Sequence, residues 1–167
     1  MILLCGLFGT LTITGCQSQN ARRYSQPVVS LVELLEPVTV PRGRARVTFQ
    51  DGRSVYAADP YRLSCELEVE TVAESDRPVA PGQFFVRRAG RGIFADEQAR
   101  IPPYGPFADA DCGDPLHWES WFFLVSEQPS DVRKLSCRQA FNACWGEGYY
   151  AGRELMGAAL GTAFRLQ

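Results

Sequence analysis

The residues of this chain whose types and spacing suit chemistry are four cysteines, one histidine and a knot of aspartates. Cys65, Cys112, Cys137 and Cys144 lack the close Cys-x₂₋₄-Cys spacing of structural zinc sites, and the single histidine, His117, adds little to such a set. In an oxidising compartment an even number of cysteines reads as two disulfides with three possible connectivities. Alternation favours one pairing. Cys65 shares its strand face with Leu63, Leu67 and Val69, and Cys137 shares its face with Leu135, so both point at a core and can meet across a sheet. Cys112 and Cys144 would then pair and hold a loop.

His117 as a general base would need a nucleophile and an orienting group. The sequence has no Gly-x-Ser-x-Gly elbow and no reactive-cysteine signature, so the expectation is a non-enzyme with no cofactor. Asp109, Asp111 and Asp114 crowd into six residues. They are the only candidates for a metal, as weak oxygen ligands for Ca²⁺, but an EF-hand loop needs glutamate at its twelfth position and Ser120 stands there. A solvated turn beside Cys112 is the simpler reading. Trp118 and Trp121 are expected in the core. Tyr149 and Tyr150, set among glycines, rank first as exposed interaction residues. Arg87 and Arg88, with Arg91 and beside Phe84 and Phe85, are further candidates. They suit phosphate groups of lipid or lipopolysaccharide, or else form a charged hairpin tip that guards a sheet edge.

The chain opens with Met1 to Gly15, a run without a charged side chain. It is too short for a spanning helix, which needs about 20 apolar residues, and suits the apolar region of a secretory signal. Ile13-Thr14-Gly15-Cys16 follows, and resembles the lipobox of bacterial lipoproteins. That resemblance implies removal of residues 1–15 and acylation of Cys16. Gln17 in place of aspartate implies the outer membrane rather than retention at the inner one. A leader ordinarily opens with Lys or Arg, and this one departs from the pattern. Polar residues from Cys16 to Gln26 read as a flexible tether.

The composition is 46% hydrophobic with net charge −2, which suits one folded domain and gives no field for nucleic acid. Between residues 27 and 146 short alternating runs dominate. Val28 to Leu35 and Val38 to Val40 read as extended. Arg44 to Gln50 puts Ala45, Val47 and Phe49 inward, and Asp51-Gly52 signals a hairpin into Arg53 to Ala57. Tyr61 to Val72 alternates again. Gln83 to Arg88 and Gly92 to Phe94 are read as two strands flanking a glycine turn. His117 to Ser126 is apolar on both faces and reads as a central buried strand, and Val132 to Phe141 as one more. Arg42, Arg44 and Arg46 on one face should meet Glu66, Glu68 and Glu70 on a neighbouring strand. Residues 147–167 read as a helical tail, with Arg153 to Leu160 helical and Gly161 ending it. The expected fold is mainly β: a small antiparallel β-sandwich or partly open barrel with a short C-terminal helix.

Leu31-Val32-Glu33-Leu34-Leu35, Pro41-Arg42-Gly43-Arg44-Ala45, Phe49-Gln50-Asp51-Gly52 and Cys65-Glu66-Leu67-Glu68-Val69 together resemble an uncharacterised family of proteobacterial lipoproteins. The resemblance covers roughly a third of the chain and implies a small envelope lipoprotein, with no activity attached. The functional expectation is a non-enzymatic interaction module, lipid-anchored at the outer membrane and facing the periplasm. Its partners would be the membrane and an envelope protein, with no nucleic acid. The alternative is a domain that binds a small ligand or inhibits lysozyme.

Overall fold

The computed structural model describes residues 29–95, 116–141 and 149–167. Residues 1–15, Cys16 and the tether, Cys112, Cys144, Trp145 and the acidic trio Asp109, Asp111 and Asp114 lie outside these ranges. The fold is mainly β: one antiparallel sheet of eight strands curled into a half-barrel, plus a single short helix near the C-terminus. Of the two expected architectures, the partly open barrel is the one adopted.

The strands are β1 (Leu31–Leu34), β2 (Val38–Val40), β3 (Arg46–Gln50), β4 (Arg53–Val55), β5 (Ser64–Val69), β6 (Arg77–Val79), β7 (Gly82–Ala95), β8 (Leu116–Val125) and β9 (Val132–Phe141), then α1 (Arg153–Leu160) and β10 (Phe164–Leu166). The large sheet runs β10-β1-β7-β8-β9-β5-β3-β4, and β2 and β6 form a separate pair. Pro78 sits on β6 opposite Thr39, which a two-stranded ribbon tolerates because each strand has an open edge.

Period-two burial places the core. Val32, Leu34, Phe84, Phe122, Leu124, Leu135, Leu67, Val47 and Phe49 turn to the concave side and are buried. Cys65 and Cys137 are directly opposite in the β5–β9 register and are joined by a disulfide, their Cα atoms 4.0 Å apart. The β3–β4 hairpin turns on Asp51 and Gly52, at φ 53° and 78°. Two successive positive φ angles match the right-handed twist of the flanking strands. Gln50, at the end of β3, is buried yet satisfied: its Nε2 donates to Asp59 O at 3.0 Å and its Oε1 accepts from Asp59 N at 2.9 Å. It thereby holds the loop after β4.

Helix α1 fills the open side of the curl. Met156, Ala159 and Leu160 are buried, while Gly161, at φ 76°, ends the helix with its N–H donating to Gly157 O at 2.9 Å. The chain then adds β10 to the sheet beside β1, with Phe164 opposite Leu34. Phe164 meets Phe49 of β3 edge to face, ring centroids 5.0 Å apart, so opposite flanks of the sheet touch across the core.

Three expectations need correction. The segment read as a C-terminal helical tail is a helix followed by a strand, both built into the domain, because Phe164 and Leu166 alternate with Arg165 as edge-strand residues do. The supposed glycine turn between Gln83–Arg88 and Gly92–Phe94 does not exist. Gly82 to Ala95 is one long strand with a register shift between Val86 and Arg88. Arg87, Arg88 and Arg91 are therefore strand residues and form no hairpin tip. Finally, β8 is central, between β7 and β9, but only one of its faces is fully covered: Ser120, Phe122 and Leu124 are buried while Trp121 and Phe123 are half-exposed on the other side.

Candidate functional site

The outer face of β7 and β8 carries most of the residues of interest. Cross-strand partners share a face, and on this face the pairs along the two strands are Phe85 with Val125, Arg88 with Phe123, Gly90 with Trp121, Gly92 with Glu119 and Phe94 with His117. The result is a stripe of aromatic rings set against arginine and glycine. Glycine weakens a strand interior by roughly 0.5–1 kcal/mol relative to alanine, so two at alternate positions call for a local reason. A β-carbon on Gly90 would lie 2.5 Å from Trp121 Cζ2, and one on Gly92 would lie 2.9 Å from the Phe94 ring and 3.1 Å from Trp121 Cζ3. The indole covers the backbone of both glycines. Phe94 leans on it, centroids 5.9 Å apart.

Beside the stripe runs a ladder of charges on β9, β5 and β3. Arg46 Nη1 lies 3.2 Å from Glu66 Oε2, Arg138 reaches Glu66 Oε1 at 3.5 Å, and Glu68 takes Lys134 at 3.0 Å and Arg133 at 3.8 Å. The expected neighbourhood of an arginine stripe and a glutamate stripe is realised through Arg46 alone, because β3 begins there. Arg44 instead stacks on Tyr56, 3.9 Å from its ring centroid, and Arg42 N donates to Asp76 Oδ1 at 2.9 Å. These half-exposed pairs contribute little each, about 0–1 kcal/mol. Glu119 stands between stripe and ladder, opposite Gly92 and Arg138. Burial raises its pKa above the ordinary carboxylate value, against the pull of Lys134 and Arg138.

The far end of β7 and β8 gathers a second group. Tyr150 meets Trp118 edge to face at 4.6 Å, and the Arg91 guanidinium lies 5.1 Å from the Tyr150 ring centroid. Trp118 pairs with Ile93 across the strands. Tyr149, next in the chain, is 54% exposed, and Ile93 and Phe94 are 44% and 48% exposed. Of the sequence candidates, Tyr149 and Tyr150 thus come together with the end of β7, while Arg87 and Arg88 lie toward its start, roughly 20 Å away at the usual strand rise. His117 is buried opposite Phe94 and Ala140.

Sequence reasoning missed Phe94, Trp121 and Val125 as surface residues. The signal lies in Gly90 and Gly92, two positions apart and so on one face of a strand, although by local pattern alone two such glycines suit a turn equally well. Among the described residues no group of three His, Cys, Asp or Glu side chains could hold a metal ion, and no helix is long and apolar enough to cross a membrane. Comparison with protein-family models, curated proteins and solved structures finds no match to this chain.

Proposed function

We propose that this chain is a lipid-anchored protein of the bacterial outer membrane whose domain faces the periplasm and acts, without catalysis, by binding a partner protein. The observation that carries the binding role is the apolar stripe on the outer face of β7 and β8, where exposed Phe94 leans on half-exposed Trp121, with Tyr149 exposed near the same end of the sheet. Contiguous exposed apolar surface marks interaction sites more often than isolated residues do. Tyrosines and tryptophans with one polar end are well suited to such contacts. Anchoring is supported by the lipobox-like Ile13-Thr14-Gly15-Cys16, since several acyl chains on one residue hold a protein firmly at a bilayer.

Two measurements test this. Mass spectrometry of the protein from envelope membranes should find acyl chains on Cys16 at the start of the mature chain, absent after Cys16→Ala. A photo-crosslinking residue at Phe94 or Tyr149 should capture a specific envelope protein in cells, whereas one at Tyr56, exposed elsewhere on the domain, should not. Crosslinks that are identical from all three positions, or missing from Phe94 and Tyr149, would remove the protein-partner reading.

A further inference from the structure

The bulge in β7 gives its two adjacent arginines an unusual placement. In a regular strand consecutive side chains point to opposite faces, so Arg87 and Arg88 would be divided between the core side and solvent. The register shift between Val86 and Arg88 leaves Arg87 without a partner on β8, and both arginines are exposed. Bulges commonly re-aim a side chain in this way. Arg88 lies over the Phe123 ring, 4.9 Å from its centroid. Among the described residues neither arginine has a carboxylate partner, in contrast to Arg46, Arg133, Lys134 and Arg138 on the same side of the sheet. Directly next to them the cross-strand pair Phe85 and Val125 is exposed, 42% each.

This corner is also where the described chain begins. Val86 N donates to Ser30 O at 2.9 Å, and Leu31 pairs with Phe85. Cys16 precedes Val29 by thirteen residues, which reach at most about 45 Å. An anchor on Cys16 therefore leaves Phe85, Arg87, Arg88 and Val125 within reach of the bilayer, with the tether attached on their side of the sheet.

We propose that the corner formed by Phe85, Arg87, Arg88 and Val125 docks on an anionic phospholipid surface. The two guanidiniums take headgroup phosphates, and the Phe85–Val125 pair enters the interfacial zone. The inference rests on the anchored reading above and deepens it. Docking orients β7 and β8 so that Phe94, about 20 Å beyond the arginines along the strand, points away from the membrane toward a partner.

The test uses the full chain purified from membranes and placed on vesicles of phosphatidylcholine alone or with a share of phosphatidylglycerol. Amide hydrogen exchange of Phe85 to Arg88 and of Val125 should slow roughly tenfold on the anionic vesicles, since each arginine near such a surface adds attraction. The Arg87→Gln/Arg88→Gln variant should lose that difference while staying on both vesicles. Equal exchange on the two vesicles overturns the proposal, as does protection that survives in the double variant. Protection produced by inorganic phosphate on neutral vesicles would assign the corner to a free anion instead, and protection requiring added envelope proteins would assign it to an acidic partner. Either overturns the lipid reading. Failure of the anchor is read separately, as protein that does not float with neutral vesicles and carries no acyl mass on Cys16.

Discussion

A β-carbon built on Gly161 would stand 2.3 Å from the carbonyl oxygen of Gly52, which puts the end of helix α1 in backbone contact with the tip of the β3–β4 hairpin. Gly52 N donates to Ala159 O at 3.0 Å in the same contact. Two elements more than a hundred residues apart in sequence thus close the half-barrel through a pair of glycines, each at positive φ.

Gly161→Ala should therefore destabilise the domain by about 2–4 kcal/mol, combining the left-handed backbone cost with a clash against main chain that cannot rotate away. Gly43 provides the control. It also has a positive φ, 71°, but nothing lies within 4 Å of its absent β-carbon, so Gly43→Ala should cost only about 1 kcal/mol. Urea denaturation of both variants measures the difference. Equal losses would mean that the Gly52 contact contributes nothing.

Gly90→Ala should cost about 1–3 kcal/mol, because the new methyl group must displace the Trp121 indole. In a Trp121→Ala background the same substitution should be neutral or stabilising, since the obstacle is gone and alanine suits a strand better than glycine. A double-mutant cycle reads this coupling directly. Additive effects would contradict the packing of Trp121 on the glycine backbone.

The Cys65–Cys137 bridge closes a separation of 72 residues, and both cysteines are buried. Replacing the pair with alanines should lower stability by about 2–4 kcal/mol. The fold should survive, because β5 and β9 remain paired on both sides of the bridge through Leu67 with Leu135 and Ser64 with Arg138. Thermal unfolding followed by circular dichroism tests both parts. An unfolded double variant would show that the sheet depends on the crosslink.

Glu119 makes stability depend on pH with a definite sign. Its folded pKa is raised from 4.5 by burial, so the folded state holds the proton more tightly than the unfolded state does. Stability then falls as pH rises from the unfolded value through the raised folded one. Glu119→Gln cannot ionise, so it should gain on the parent protein across that window and keep the gain at neutral pH. Glu33 has the opposite sign. Hydrogen bonds from Gln83 and Gln167, with Arg165, lower its pKa, so its contribution is lost as pH falls. Denaturation of Glu119→Gln and parent at about pH 4 and about pH 7 checks the first claim. An unchanged difference between the two would refute it.

Much of this fold is written in short-range pattern. Alternation in Arg44 to Gln50 and in Leu63 to Val69 marks β3 and β5. Asp51-Gly52 marks the hairpin between β3 and β4, since few other pairs accept two positive φ angles. The run from Arg153 to Leu160, closed by Gly161, marks the helix. Even the disulfide could be favoured, because the neighbours of Cys65 and Cys137 reveal which way each points. These features depend on residues a few positions apart, where backbone geometry alone relates side chain to face.

The surface that the proposed function uses depends on partners remote in sequence. Gly90 and Gly92 look like a turn until Trp121 arrives from another strand to cover them, at which point an extended backbone becomes the arrangement that fits the indole. Arg87 and Arg88 share a solvent-facing side only because β8 pairs across a bulge. Phe164 to Leu166 becomes a strand because β1 offers an open edge. Cross-strand register is set by which chains lie side by side. No local rule carries that information, so the sequence could name the aromatic residues, arginines and tyrosines, but only the curled sheet brought Phe94, Tyr149 and Tyr150 to one end and Phe85, Arg87 and Arg88 to the other.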